Sequence, residues 1–406
     1  MRNPPRSRVL GSMVLAVAAA EAGARWLAPR DSTIDPARID VRSYFTEAEI
    51  ERGKRYARPQ FMLGIARTAV ETGALALLVR RPPLALRRLS ARPVAGGAAA
   101  GAGMAIALSL PPLPLSALAR HRARRVGLLT QSWGGWGVDL AKANAIGAGL
   151  AAGAGAAAVA ATRRYPRSWW APAGAGSVTI GTVLAALAPV VLDPVFNTFT
   201  PLPEGQTRAD VLELAERAGV SVGDVYSVDA SRRTTAANAY VSGLGPTKRV
   251  VLFDTLLDRY TRDEIRLVVA HELAHVRHRD VPRSVLYAAI VAPFAAYAVQ
   301  RLSWALSPER GTPAALPALA LAAGVVSAPV GLVGNRLSRA IERRADAFSL
   351  ELAGAPEAFV SFERRIALQN VADLEPPWWL TALLATHPPT TERIGAAVAF
   401  AERAGG

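Results

Sequence analysis

The chain has 406 residues, of which 51% are hydrophobic and 19% charged, with a net charge of +15 and no cysteine. A mean hydropathy of +0.20 is too high for a wholly soluble fold of this length. The lack of cysteine excludes disulfides and thiolate metal ligands, and the basic excess admits either nucleic acid or an anionic membrane surface as partner.

The apolar residues are clustered. Runs at 9–27, 61–79, 94–118, 143–161, 171–192, 285–306 and 313–333 each approach the roughly 20 residues a bilayer-spanning helix needs, which gives about seven spans. The first follows Arg2, Arg6 and Arg8 and contains Ala18-Ala19-Ala20, a pattern shared with signal peptides. We read it as a retained span, within which Glu21 and Arg25 must face the bundle interior or a water-filled cavity. Gly97 with Gly101, and Gly149 with Gly153, have the spacing that lets membrane helices approach closely. Arginines fall at span ends, as in Arg80-Arg81, Arg87-Arg88, Arg122, Arg124-Arg125 and Arg163-Arg164, and no nucleic-acid motif is present. Membrane lipids are therefore the expected anionic partner, with no nucleic acid. Tyr165, Trp169 and Trp170 fit an interfacial aromatic belt. Loops on the two sides carry similar numbers of Lys and Arg, so charge does not set the orientation.

The segment 193–283 is polar. An amphipathic helix is expected at 208–218 and short strands at 225–228, 237–241 and 249–253, with Ser242-Gly243 as a turn. Thr261 then suits an N-cap, Asp263 and Glu264 a first turn, and Ile265, Val268, Val269, Leu273 and Val276 an apolar helical stripe, ended by Pro282. This helix contains His271-Glu272-Leu273-Ala274-His275. Residues four apart share a helix face, so His271 and His275 can bind one Zn²⁺ while Glu272 serves as general base toward its water.

Two spans separate this segment from a second polar one, at 335–406, so both emerge on the same side of the bilayer and can share a site. There Glu342 and Asp346 also stand one turn apart. Spacing alone allows a zinc ligand with an imidazole-orienting carboxylate, or two solvated acids paired with Arg339, Arg343 and Arg344. About ten residues separate His275 from the sixth run, and a similar number the seventh from Glu342, which keeps the metal within roughly 15 Å of the membrane. Trp378-Trp379 is expected to anchor the C-terminal segment at the interface. The chain thus divides into a membrane region at 1–192 with about five spans, a catalytic region at 193–283, two spans at 284–334, and a C-terminal catalytic region at 335–406.

In order along most of its length, the chain carries Tyr44-Phe45 through Tyr56, the stretches 194–205 and 228–233, Asn238-Ala239-Tyr240 with Gly243-Leu244-Gly245, and 249–257. There follow the pentapeptide at 271–275, Glu342 with Asp346, and His387-Pro388-Pro389 with Arg393. In these features it resembles the Ste24-type CAAX prenyl protease family of integral-membrane zinc metallopeptidases. The resemblance implies a mainly α integral membrane protein with a zincin-like metallopeptidase domain and a small β-sheet. It also implies one Zn²⁺ per chain on His271, His275 and Glu342, with Glu272 as base and Asp346 orienting an imidazole. The stretch 237–242 becomes an edge strand to which a peptide adds, with Asn238, Ala239 and Tyr240 near the scissile bond. His387 and Arg393 become stabilisers of the oxyanion. Asp280 falls where an acid orients an imidazole in relatives and where the eukaryotic prenyl proteases commonly have histidine, a departure that weakens transfer of their substrate. His278 shares the helix face of the ligand pair but lies outside the motif. In the family the spans enclose a chamber beneath the zinc.

The implied function is a membrane-embedded endopeptidase acting on peptides or membrane proteins, including lipidated ones, in CAAX-type processing or quality control. The catalytic side is expected to be cytoplasmic. A reading from another class is a membrane sensor on a peptidase fold with little turnover; the intact His271, Glu272, His275 and Glu342 argue against an inactive scaffold.

Overall fold

The computed structural model describes residues 4–30, 33–243 and 248–405, so Arg2, Leu244 and Gly245 of the sequence motifs lie outside the described residues. The first half is built from α1 (Arg6–Leu27), α2 (Glu47–Arg80), α3 (Pro93–Ser109), α4 (Leu113–Arg125), α5 (Trp133–Arg164) and α6 (Trp170–Leu187). Helix α2 starts on a capping box in which Thr46 N–H donates to Glu49 and Glu49 N–H donates back to Thr46 Oγ1. The third apolar run is not one straight helix. Pro111 and Pro112 cannot continue the backbone ladder, and α3 and α4 meet there with a 50° bend.

A Cβ on Gly97 would lie 2.7 Å from the Gly155 carbonyl oxygen, and one on Gly101 2.1 Å from that of Ala151, so this pair sets α3 directly against α5. Gly149 and Gly153 play no such part, because nothing lies within 4 Å of the Cβ either would carry; Gly155, on another face, closes the contact. Trp169 is buried and packs within the protein rather than joining an aromatic belt. Glu21 pairs with Arg25 at 2.6 Å and reaches across to Arg336 of the seventh-span helix at 2.7 Å, while the Arg25 side chain is exposed and does not enter the bundle interior.

The polar segment folds as β1 (Phe199–Pro201), α7 (Gln206–Arg217), β2 (Asp224–Val228), β3 (Ala239–Ser242), β4 (Arg249–Phe253) and α8 (Arg262–Arg277). The sheet order is β1-β2-β4-β3, with β2 and β4 parallel and the outer strands antiparallel to them. Strand β3 is therefore an edge, in register Ala239 opposite Leu252 and Val241 opposite Val250. Strand β1, three residues long, is too short to show alternation in sequence. Val225, Val250, Leu252, Ile265, Val269 and Leu273 form the core between sheet and helices, which accounts for the apolar stripe of α8. Thr261 caps α8 in a second capping box with Glu264.

Helix α8 stops before Pro282. His278 caps it, Arg279 takes a left-handed turn with φ 56°, and α9 (Asp280–Leu306) begins at once. Pro282 thus sits in the first turn of α9, where its missing N–H has no intrahelical partner to lose. Helix α10 (Leu316–Ala353) has 38 residues and is roughly 57 Å long, so a single helix carries both the seventh span and the polar residues beyond it. Ala16 of α1 packs with Ala298 of α9 and Val326 of α10. The chain closes with α11 (Pro356–Gln369), α12 (Trp378–Leu383) and α13 (Thr390–Gly405). A separate apolar cluster ties Val41 and Phe45 of the first loop and Ile50 of α2 to Ala367, Leu374 and Ile394. Six described helices are long and apolar enough to cross a bilayer, or seven if the bent α3–α4 pair is one span. The architecture is that of a mainly α integral membrane protein with a small mixed sheet.

Candidate metal centre

Helix α8 presents His271 and His275 on one face, and α10 runs beside it. His271 Nε2 lies 3.2 Å from Glu342 Oε2, and His275 Nε2 lies 3.8 Å from Glu342 Oε1. One ligand atom from each residue falls within 4.8 Å of the others; among the described residues this is the one such group able to hold a metal ion. Two imidazoles and a carboxylate suit a divalent cation of zinc type that keeps a further position open. The electrostatics fit as well. Burial lowers the proton affinity of His271, yet contacts to Asp346 and Glu342 outweigh it and push its pKa up to about 10.

Each imidazole is oriented from behind. His271 Nδ1 stands 3.0 Å from Asp346 Oδ1, and His275 Nδ1 stands 3.0 Å from Asp280 Oδ2. The Arg393 guanidinium donates to both Asp346 oxygens, at 2.9 and 2.6 Å, and its remaining nitrogen lies 2.5 Å from Glu363. Arg344 donates to Asp280. Arg393, expected to stabilise an oxyanion, thus contacts Asp346 and Glu363 through its three nitrogens. Arg339 instead donates to backbone carbonyls of Ala382 and Ala385, and Arg343 pairs with Glu392 at 2.5 Å. Glu342 and Asp346 are buried, so the reading of two solvated acids fails.

A cavity of about 530 Å³ borders the site and is lined by Asn238, His271, Glu272, His387 and Arg393. Burial lifts the Glu272 carboxyl above the usual carboxylate range, against the opposing effect of His271 and His275. His387 Nε2 lies 3.4 Å from Glu342, and its Nδ1 is 2.9 Å from Thr386 Oγ1. Of the three strand residues, Asn238 lines the cleft, Ala239 is buried in the sheet, and the Tyr240 hydroxyl lies 3.2 Å from Asp193. A second cavity, also about 530 Å³, lies on the membrane side of the ligands between α6, α9 and α10, with Ser177, Thr182, Ser284 and Ser338 in its walls. His278 Nδ1 is 2.9 Å from the Ala274 carbonyl and its ring meets Phe348 edge-on, away from the ligand set.

Two participants escaped the sequence reading. Glu363 and Arg344 look like ordinary surface charges in sequence, but both are buried behind the imidazole-orienting pairs. A signal existed for Glu363, which falls four residues after Phe359 and one after Phe362 on the apolar face of α11.

A family model described as peptidase family M48 matches residues 201–401. The chain is 32% identical over 241 residues to the uncharacterized metalloprotease YhfN of Bacillus subtilis, covering 57% of each. It is 31% identical over 225 residues to a CAAX prenyl protease 1 homolog of Oryza sativa, covering 53% of each. The chain thus spans about half the length of the curated relatives it matches. The crystal structure of S. mikatae Ste24p has the same fold, with a TM-score of 0.79 over 96% of this chain and 97% of that one at 17% identity.

Proposed function

Because the chain belongs to the Ste24-type group of peptidase family M48, we propose that it is a membrane-embedded zinc endopeptidase acting on membrane-associated proteins or peptides. The observation that carries this reading is the convergence of His271, His275 and Glu342 beside a half-buried Glu272, at a cleft bordered by the segment that leads into an edge strand.

His271, His275 and Glu342 would hold the ion, and zinc bound there supplies Lewis acidity that brings the pKa of water toward about 7 and polarises a peptide carbonyl. Glu272 takes the proton of the attacking water and returns it to the leaving amine as the C–N bond breaks; its raised proton affinity suits both transfers. His387 donates a hydrogen bond to the carbonyl oxygen as that oxygen gains charge. Arg393 is a positioning residue, holding Asp346 against His271. An extended substrate adds along β3, with its backbone beside Asn238. The membrane-side cavity supports access for segments that approach from the bilayer, including lipidated ones. The polar regions 193–283 and 335–406 together form the catalytic layer, on the cytoplasmic side.

The test is to purify wild type and Glu272→Gln in detergent and follow cleavage of farnesylated and unprenylated copies of one peptide. The variant should keep its zinc and lose activity by about 10²-fold or more. Equal turnover by the two proteins would sink the assignment. Faster cleavage of the farnesylated copy would assign CAAX-type processing, and indifference to the lipid would favour quality control. A reporter fused after Gly406 that is active outside the cytoplasm would overturn the orientation.

A further inference from the structure

At the end of the bundle away from the metal centre, the last turns of α5 and α9 and the start of α10 surround a cavity of about 580 Å³. Helix α9 runs from Asp280, beside His275, to Leu306, roughly 40 Å for its 27 residues. That length matches a bilayer with its headgroup regions, so the cavity lies at the level of the opposite leaflet's headgroups.

Its walls combine cations with aromatic and apolar surface. Arg163, Arg164 and Arg310 line it, and among the described residues none of them pairs with a carboxylate. The one acid in the lining, Glu309, lies 3.7 Å from Arg87, which offsets its charge. The Arg310 guanidinium is stacked 4.8 Å from the Trp304 ring centroid, and its buried Nε has no hydrogen-bond partner in the protein. Gly311 brings the loop onto the Arg163 stem: with φ 64° and a would-be Cβ 3.1 Å from Arg163 Cγ, it admits no larger residue without displacement. Val94 and Leu319 continue the wall with apolar surface.

Guanidinium forks match phosphate oxygens, tryptophan favours the headgroup depth, and the apolar wall suits the glycerol and upper acyl chain. We propose that this cavity binds the phosphate of an anionic glycerophospholipid from the leaflet opposite the metal centre. This site is independent of the catalytic reading.

The experiment uses the full chain in a nonionic detergent and follows thermal unfolding as phosphatidylglycerol, phosphatidylcholine or inorganic phosphate is added. Phosphatidylglycerol should raise Tm by at least about 3 °C relative to phosphatidylcholine, and the shift should vanish in Arg163→Gln/Arg164→Gln and in Arg310→Gln. Arg80→Gln/Arg81→Gln, at another span end, should keep it. Arg163 and Arg164 are exposed, so their replacement leaves the fold intact even where Arg310→Gln does not. Equal stabilisation by phosphatidylcholine, a shift undiminished in the arginine variants, or the same shift from inorganic phosphate would each overturn the proposal.

Discussion

The two walls of the candidate metal centre are built differently. On the ligand wall, formed by α8, α9 and α10 with Arg393 of α13, carboxylates stand behind both imidazoles, arginines hold those carboxylates, and all three carboxylates are buried while the imidazoles are half-buried. On the cleft wall, Asn238 and His387 are exposed, and His387 keeps 60% of its side-chain surface open. Such a division fits a centre whose ligands must be rigid before any substrate arrives and whose other side must accept a changing occupant. The burial of Asp346 is tolerable because the half-buried Arg393 guanidinium neutralises it through two hydrogen bonds; the carboxylate alone would be costly.

Breaking the ligand wall at its first member should have the largest effect. Glu342→Gln is expected to drop zinc content from one per chain to near zero, together with activity, as measured by elemental analysis of purified protein; full zinc retention would move the third ligand elsewhere. On the cleft wall, His387→Ala should lower kcat by about 10²–10³ with zinc content unchanged. Loss of zinc in that variant would erase the distinction between the walls. One layer behind the ligands, Asp346→Asn or Asp280→Asn should weaken zinc affinity by about 10–100-fold in a chelator competition, with activity restored by excess zinc. Activity that excess zinc cannot restore would mean these carboxylates do more than orient.

The smallest effect belongs to a pair outside the centre. Arg262 holds the buried Asp210 carboxyl down to about 2, with Arg266 adding to it. A folded pKa below the unfolded value stabilises the protein at neutral pH, and that contribution fades as pH falls from about 4 toward 2. Asp210→Asn should therefore cost about 2 kcal/mol at pH 7, with the Tm gap to wild type narrowing from pH 5 to pH 3. A gap independent of pH would assign Asp210 a packing role instead.

Much of this was legible in the chain. The apolar runs gave the spans because a bilayer requires uninterrupted hydrophobic length, and α8 was readable down to Thr261 because its cap, first-turn acids and stripe agree. Pro111-Pro112 marks the bend in the third run, although the hydrophobic length of that run continues across it. Pro282 does not mark the end of α8, because proline is tolerated in a first turn as readily as it ends a helix, and sequence does not distinguish the two without knowing where Arg279 turns.

By itself the sequence determined that His271 and His275 stand together on α8, since residues four apart on a helix must share a face. It also determined the membrane setting, since hydrophobic length is a local property. Tertiary structure alone decided which charges meet. Whether Glu342 and Asp346 are solvated or stand against His271, whether Arg393 meets Asp346, and whether Arg163 and Arg310 share a cavity all depend on helices brought together across long stretches of chain. Pairing of buried charges is set by that packing, and no local pattern records it.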